Sequence, residues 1–345
     1  MLHHTTIPSK DNISSIVIVV QMRRHCNNLM VFRLVTLLIP IAACCKGAKA
    51  LVETANLRSF PRIIYGTAWK EDRTADLVYD AVMSGFRHID TACQPKHYNE
   101  RLVGEGWARA ARELGLSRDS LWLQTKYTSL DGQDPERLPY EEDASLEDRV
   151  RQSVARSLEN LQTDYLDSLV MHGPEDNWED MFKVWRVFEE MVDKGKVRAL
   201  GISNFYQADA VEHLYDNVRI KPSVVQNRFH DDSDVAYDVL TRAFCLEKGM
   251  EYQSFWTLGA NRHGLQHERI KEMAKQKGIS VENIMYAFVV ALGITPLDGT
   301  TNKQHMEEDM EMLSRIKGGE RILSEEEIDL FSEILGIPDA GADEL

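Results

Sequence analysis

Cysteine is scarce in this sequence, and so is positive charge. The five cysteines among 345 residues form no Cys-x-x-Cys pair, and only Cys93 and Cys245 lie beyond residue 45, which excludes a disulfide scaffold. Forty Lys and Arg stand against 55 Asp and Glu, a formal net charge of −15, so no nucleic acid is expected as a partner. With 43% hydrophobic residues, the composition instead favours a soluble, acidic enzyme with one large core.

Residues 1–55 differ in character from the rest and are predicted to be a leader. Residues 12–52 contain no Asp or Glu, and residues 34–45 form a nearly continuous apolar run. That run is too short to cross a bilayer of about 30 Å but is typical of a signal-peptide core. Ala48-Lys49-Ala50 follows with the small residues of a cleavage site. A mispredicted start of translation is the alternative, and no stable membrane span is expected in the mature protein.

The C-terminus bears on localisation. The last four residues, Ala342-Asp343-Glu344-Leu345, differ by one residue from a KDEL-type retrieval signal. A real leader therefore predicts the secretory pathway, with the endoplasmic reticulum lumen or another organelle as destination. A mispredicted start predicts the cytoplasm.

From about residue 60 onward, short β-prone runs alternate with helical patterns. The runs are residues 63–68, 88–92, 121–127, 165–172, 199–205, 222–229, 251–256 and 294–300. Between them, apolar side chains recur at helical spacing, as Val150, Val154 and Leu158 do. Eight strands, each followed by a helix, predict a single-domain (β/α)8 TIM barrel over residues 56–336, with residues 337–345 as a tail. A doubly wound sheet is disfavoured because no G-x-G-x-x-G follows the first run.

Four ionisable side chains fall near predicted strand ends, where barrel enzymes carry their chemistry. Asp90 follows the second strand and Lys126 the third, so these two buried groups are expected to pair. The ammonium is then expected to lower the pKa of Tyr98, in the loop after Asp90, and to make the phenol a better general acid. His172, after the fourth strand, is expected to orient the same carbonyl oxygen as a neutral imidazole. The hydride for such a reduction must come from a nicotinamide coenzyme.

Each of these residues also has a structural interpretation when it is taken alone. Asp90 is a suitable helix cap, Lys126 a rim lysine, His172 a turn residue and Tyr98 a packing aromatic. Their joint placement at successive strand exits favours the catalytic interpretation.

These motifs resemble those of the aldo-keto reductase family over about residues 60–335. The matching segments, in family order, are Gly85-Phe86-Arg87-His88-Ile89-Asp90-Thr91-Ala92, Tyr98-Asn99-Glu100, Thr125-Lys126, Met171-His172-Gly173-Pro174 and Gly201-Ile202-Ser203-Asn204-Phe205. The resemblance implies a TIM barrel with Asp90, Tyr98, Lys126 and His172 as the catalytic set.

The resemblance also implies a coenzyme-binding surface. NADPH is the expected coenzyme, NADH is the alternative, and no metal is expected. The positions implied to bind it are Gly66, Thr67, Ser203, Asn204, Gln226, Phe255, Leu258, Gly299, Thr300, His305 and Asp309. Phe255 stands where the family usually has a stacking tyrosine, and a phenyl ring still stacks.

Three departures from the family pattern affect these expectations. Tyr98 lies eight residues after Asp90, so the inserted residues 94–96 must bulge. Gly299 and His305 stand where the family usually has the Lys and Arg that hold the adenosine 2′-phosphate, which weakens the case for strict NADPH use. Lys303 is a candidate substitute cation. Gly173 replaces a large aromatic residue after His172, which predicts a roomier substrate site.

The sequence therefore predicts NAD(P)H-dependent reduction of aldehydes or ketones to alcohols, with a small-molecule carbonyl substrate. A nucleotide-binding barrel with a regulatory role is the alternative. A metal-dependent hydrolase, suggested by His88, Asp90 and His172, is disfavoured because it needs further inward ligands on several strands. The sequence specifies neither the physiological substrate nor the oligomeric state.

Overall fold

The computed structural model of the protein describes residues 63–231 and 236–338, and these form a closed barrel of eight parallel strands. Each strand pairs with the next in chain order, and β8 closes the barrel against β1. The strands are β1 (Ile64–Gly66), β2 (His88–Asp90), β3 (Trp122–Tyr127), β4 (Leu166–Met171), β5 (Val197–Ser203), β6 (Val224–Arg228), β7 (Glu251–Phe255) and β8 (Thr295–Asp298). The TIM barrel and all eight strand positions predicted from the sequence are confirmed.

Helices connect the strands and cover the outside of the barrel. In the described ranges they are α1 (Thr74–Ser84), α2 (Glu100–Leu114), α3 (Leu146–Asn160), α4 (Trp178–Asp193), α5 (Ala208–Asn217), α6 (Val239–Lys248), α7 (Thr257–Ala260), α8 (Arg262–Gln266), α9 (Glu268–Lys277), α10 (Val281–Ala291), α11 (Lys303–Lys317) and α12 (Glu325–Leu335). The boundaries follow local chemistry: α4, for example, begins after Asn177, whose side chain caps Asp180 N–H, and Gly195 follows it with φ 67°.

The strands appear in the sequence as apolar runs because one face of each strand is covered by the barrel interior and the other by helices. All six residues of β4 are buried, as expected for a parallel strand between a barrel interior and a helical layer. Trp185 and Phe188 on α4 are also fully buried in the shell between helices and strands. Most of the apolar side chains therefore serve packing rather than the cavity.

One close helix contact depends on a glycine. A Cβ atom at Gly104 in α2 would lie 2.1 Å from the carbonyl oxygen of Asn160 at the end of α3. Only a residue without a side chain lets α2 approach that carbonyl. The glycines in Gly104-Glu105-Gly106 thus serve helix packing, which agrees with their predicted place in a helix.

Several sequence predictions lie outside the described residues. The leader, including the apolar run 34–45, and the last four residues belong to this part of the chain, so the localisation stays a prediction. Within the described residues, no helix is both long enough and apolar enough to cross a membrane.

Candidate active site

A cavity of about 950 Å³ opens at the carboxyl end of the strands. Among the predicted catalytic residues, Asp90, Tyr98 and His172 line it. All residues predicted to bind the coenzyme also line it: Gly66, Thr67, Ser203, Asn204, Gln226, Phe255, Leu258, Gly299, Thr300, His305 and Asp309. Residues spread over more than 240 positions of sequence therefore meet in one place.

Asp90 and Lys126 form a buried ion pair below the cavity. Their side chains are 2% and 1% exposed, and Lys126 Nζ donates to Asp90 Oδ2 at 2.5 Å and to the carbonyl of Thr91 at 2.9 Å. Burial lowers the pKa of Lys126, while Asp90 acts against that shift. The predicted pairing is confirmed, and Lys126 lies behind the cavity wall rather than in it.

Tyr98 reaches the cavity because the chain before it bulges. The inserted residues turn back on themselves, with the N–H groups of His97 and Tyr98 both donating to the carbonyl of Gln94, at 3.1 and 3.0 Å. The Tyr98 ring then lies with its centre 5.3 Å from Lys126 Nζ. The predicted bulge is confirmed.

The predicted direction of the Tyr98 pKa is wrong. Burial, and then the negative charge of Asp90, raise the pKa of Tyr98 above its ordinary value. The Lys126 ammonium, 5.3 Å from the centre of the Tyr98 ring, does not outweigh these two effects. Tyr98 is therefore held as a neutral phenol, the form that can donate a proton.

His172 is held as a neutral imidazole, as predicted. Burial, followed by the charge of Lys126, lowers its pKa to about 3. Its Nδ1 lies 2.7 Å from the hydroxyl of Thr128, which fixes the ring orientation. The rings of Tyr98 and His172 face each other edge-on, with centres 6.0 Å apart, so both polar ends are available to one small group in the cavity.

A layer of glutamines supports the ion pair. Gln124 and Gln226 both donate to Asp90 Oδ1, at 2.8 and 3.0 Å, and both donate to Gln253 Oε1 as well. Branched aliphatic residues usually fill the interior of such barrels. Gln124 and Gln253 were not predicted from the sequence. Their amide side chains, at inward positions of two predicted strands, could have indicated a polar layer inside the barrel.

The residues at the carboxyl ends of β5 and β6 form a polar surface beside this layer of glutamines. Asn204 has a positive φ of 62°, which is uncommon outside glycine. Its Nδ2 donates to the carbonyl of His172 at 2.6 Å, while Ser203 Oγ donates to the carbonyl of Gln226 at 2.7 Å. These bonds fix the positions of Ser203, Asn204 and Gln226, the three residues predicted to hold a carboxamide.

The residues present fit a nicotinamide dinucleotide. Gly66 brings bare backbone to the cavity, where an added Cβ would lie 3.4 Å from the carbonyl oxygen of Asp298. Phe255 presents a ring beside the amide-bearing residues described above. An apolar stacking surface with fixed amide and hydroxyl groups next to it is a suitable cradle for a pyridine ring that carries a carboxamide.

Two exposed tryptophans at the cavity were not predicted to bind anything. Trp69 and Trp256 are 69% and 58% exposed, and both have positive φ, 60° and 59°. The guanidinium of Arg228 lies over the Trp256 ring at 4.5 Å, a stacked arrangement typical of ligand-binding surfaces. Because strained backbone positions are often found at functional sites, the positive φ of Trp69 and Trp256 favours a role for both side chains at the cavity mouth.

The site also contains a buried lysine that sequence reasoning missed, and near it the buried carboxyl of Asp298. Lys70 is 6% exposed and its Nζ donates to the carbonyl of Gly299. Asp298 is 1% exposed, accepts from the N–H of Thr300 at 2.8 Å and lies against Asp309. The cation predicted to substitute at this end, Lys303, is exposed and is not among the lining residues.

Gly173 leaves open space beside His172. An added Cβ there would meet no atom within 4 Å, but Gly173 is not among the residues that line the cavity, so the roomier substrate site stays a prediction. In the described ranges, no group of three or more His, Cys, Asp and Glu side chains is arranged to hold a metal ion.

Known proteins share this sequence pattern and fold. The profile of the Aldo/keto reductase family matches residues 62–318. A 7-acetyl-epi-neemfruitin B aldo-keto reductase from Melia azedarach is 32% identical over 259 residues, which cover 69% of this chain and 75% of the relative. A glyoxal reductase from Bacillus subtilis is 27% identical over 264 residues, which cover 73% and 86%. The crystal structure of MGS-M4, an aldo-keto reductase from a Medee basin deep-sea metagenome library, has a TM-score of 0.66 at 22% identity and covers 84% of this chain and 97% of that one.

The chain therefore belongs to the aldo-keto reductase family, as its motifs indicate. Members of this family are oxidoreductases that use NADH or NADPH to reduce carbonyl compounds, and this chain is an enzyme of that class.

Proposed function

We propose that this protein reduces an aldehyde or ketone to the alcohol, with Tyr98 as proton donor and His172 as the group that orients the carbonyl oxygen. The observation that carries the proposal is the convergence of Tyr98 and His172 on one cavity, above the buried pair of Asp90 and Lys126. A nicotinamide coenzyme, in its reduced form, supplies the hydride that reaches the carbonyl carbon.

Tyr98 donates its phenolic proton to the oxygen as negative charge develops there. Burial keeps the phenol protonated at neutral pH, so the donor is always in the active form. The Lys126 ammonium, with Asp90 fixing its position, stabilises the phenolate that remains. Lys126 and Asp90 act on the reacting atoms through Tyr98 and not by contact.

His172 orients the carbonyl through its second ring nitrogen. We assign the Thr128 hydroxyl, 2.7 Å from Nδ1, as the donor to that nitrogen, which places the ring hydrogen on Nε2. A neutral imidazole in that tautomer donates to the carbonyl oxygen without bringing a competing charge. Ser203, Asn204 and Gln226 would hold the carboxamide of a bound nicotinamide, and Phe255 would supply an apolar face for its ring.

The substrate is a carbonyl compound with room for a bulky substituent. Gly173 directly follows His172, which lines the cavity, and an added Cβ at Gly173 would meet no atom within 4 Å. Trp69 offers an exposed aromatic face at the cavity for such a molecule.

The test is Tyr98→Phe, with Tyr79→Phe as the matched control. Tyr79 is on the protein surface, and its hydroxyl donates to Glu113 at 2.8 Å, far from the cavity lining. Removal of the proton donor is expected to lower kcat by about 10²-fold or more, with coenzyme binding and folding unchanged, whereas the control keeps full activity. Unchanged turnover in Tyr98→Phe would show that another group is the acid, and dinucleotide binding by an inactive wild-type protein would favour the regulatory alternative.

A further inference from the structure

One end of the cavity is rich in carboxyl groups. Four line it where β8, α10 and α11 meet: Glu282, Asp298, Glu308 and Asp309. Among the described residues at this end, Lys70 supplies a cation, and its ammonium is directed at the carbonyl of Gly299. The local charge is therefore negative, although cavities that hold phosphate groups usually carry Arg or Lys.

Asp298 and Asp309 form the buried part of this end. They are 1% and 3% exposed. Tyr286 OH donates to Asp298 Oδ1 at 3.1 Å, and Asn283 Nδ2 donates to Asp309 Oδ1 at 2.5 Å. Asp298 Oδ2 receives no hydrogen bond from the described N–H and O–H groups. The carboxyl of Asp309 lies beside Asp298 and, when protonated, can donate a hydrogen bond to it.

The two carboxyl groups interact directly. Burial, with the charge of Asp298 as the second cause, raises the pKa of Asp309 to about 9. Burial raises the pKa of Asp298 as well, so the pair keeps at least one proton at neutral pH. With Glu282 and Glu308 added, this end carries more negative charge than Lys70 neutralises.

The place of this end in the barrel determines what part of a dinucleotide reaches it. In a closed barrel of eight strands, β4 and β8 lie opposite each other. His172 follows β4 and Asp298 ends β8, so the reacting end and the carboxyl end are on opposite sides of the cavity. A dinucleotide with its nicotinamide beside His172 therefore directs its adenosine half toward Asp298.

We propose that Glu282, Asp298, Glu308 and Asp309 make the protein selective for NADH, whose adenosine ribose carries free hydroxyls, over NADPH. The proposal rests on the dinucleotide-dependent reduction proposed above. Carboxylates accept hydrogen bonds from ribose hydroxyls, and this is how dinucleotide sites commonly select NAD over NADP. A phosphate monoester brings about −1.5 to −2 charges, which this end repels.

Glu308 is the residue best suited to a test. It is half-buried on α11 and accepts a hydrogen bond from Gln304 on the same helix. Its neighbour Glu307 is exposed and is not among the lining residues. Glu308→Gln and Glu307→Gln therefore make the same change in net charge on the same helix, one in the cavity and one outside it.

The experiment measures binding and not turnover. Trp69 and Trp256 line the cavity, so quenching of intrinsic fluorescence reports titrations with NAD⁺ and, separately, NADP⁺. We expect NADP⁺ to bind the wild-type protein at least about tenfold more weakly than NAD⁺. Glu308→Gln should reduce that ratio about three- to fivefold, and Glu307→Gln should leave it unchanged.

A second variant, Asp298→Asn, keeps the size of the side chain and removes the buried charge. It should also shift the ratio toward NADP⁺, and Glu308→Gln keeps the test informative if this variant fails to fold. Equal or tighter binding of NADP⁺ by the wild type, or equal effects of the two glutamate variants, would overturn the inference and leave the proposed reduction intact. Failure of both dinucleotides to bind would overturn the proposed function together with it.

Discussion

The buried pair of Asp90 and Lys126 gives the most demanding prediction. Lys126→Met keeps the length of the side chain and removes its charge, which leaves Asp90 as an uncompensated carboxylate that is 2% exposed. Loss of one partner of a buried pair costs about 3–5 kcal/mol in the free energy of unfolding. Because the amides of Gln124 and Gln226 still donate to Asp90, we expect a loss at the low end, about 3 kcal/mol.

The double variant Asp90→Asn with Lys126→Met separates stability from catalysis. It removes both charges, so its free energy of unfolding should be higher than that of Lys126→Met alone. Urea unfolding, followed by tryptophan fluorescence, measures this for the wild type, both single variants and the double variant. Turnover should stay low in all three variants, because none retains a positioned ammonium near Tyr98.

The result that would refute this reasoning is additivity. If the two single costs sum to the double cost within about 0.5 kcal/mol, the pair contributes no coupling. Full turnover in the double variant would refute the functional half, because Tyr98 would then need no neighbouring cation to stabilise its phenolate.

Three further predictions concern other parts of the protein. Gly104→Ala should lower the melting temperature, because its Cβ would lie 2.1 Å from the Asn160 carbonyl oxygen. Overpacking of this kind costs about 1–3 kcal/mol in the free energy of unfolding. An unchanged melting temperature would mean that α2 and α3 are not in contact there. Gly173→Phe should fold normally, since an added Cβ meets nothing within 4 Å, and should raise KM for bulky ketones but not for small aldehydes; equal effects on both would place the substrate elsewhere. Because the pKa of Asp309 is raised from 3.8 to about 9 on folding, its contribution to stability is present below pH 4 and is lost as the pH rises toward 9. Asp309→Asn should therefore unfold at urea concentrations that depend less on pH between 6 and 9, and equal slopes for variant and wild type would contradict the assigned proton.

The sequence predicted the barrel because its strands are buried on both faces and therefore appear as eight separate apolar runs. It predicted the catalytic set because a barrel brings the ends of its strands to one side, whatever their distance along the chain. Both inferences depend on the spacing of apolar residues and on the order of the strands along the chain, and the sequence shows both directly.

The properties it could not predict depend on where a side chain points. The ammonium of Lys126 is directed at Asp90 and Thr91, and burial of Tyr98, followed by the charge of Asp90, raises the Tyr98 pKa that was expected to fall. The contact between Asp298 and Asp309 joins a strand end to a helix that follows it, and no spacing rule indicates which carboxyls on those elements will meet. Gln253 was overlooked because the run 251–256 contains other polar residues, Glu251 and Ser254, and the sequence does not show which of them faces the barrel interior.

The closure of the barrel between β1 and β8 also has a consequence during synthesis. β1 ends at Gly66 and β8 begins at Thr295. The edge of β1 that pairs with β8 therefore stays unpaired until β8 has been synthesised. At about 5–20 residues per second, this interval takes roughly 11–46 s, in which both edges of a growing parallel sheet expose unpaired N–H and C=O groups. The nascent chain is thus open to edge-to-edge association until Thr295 and the residues after it emerge, and the speed of translation between β1 and β8 sets how long that exposure lasts.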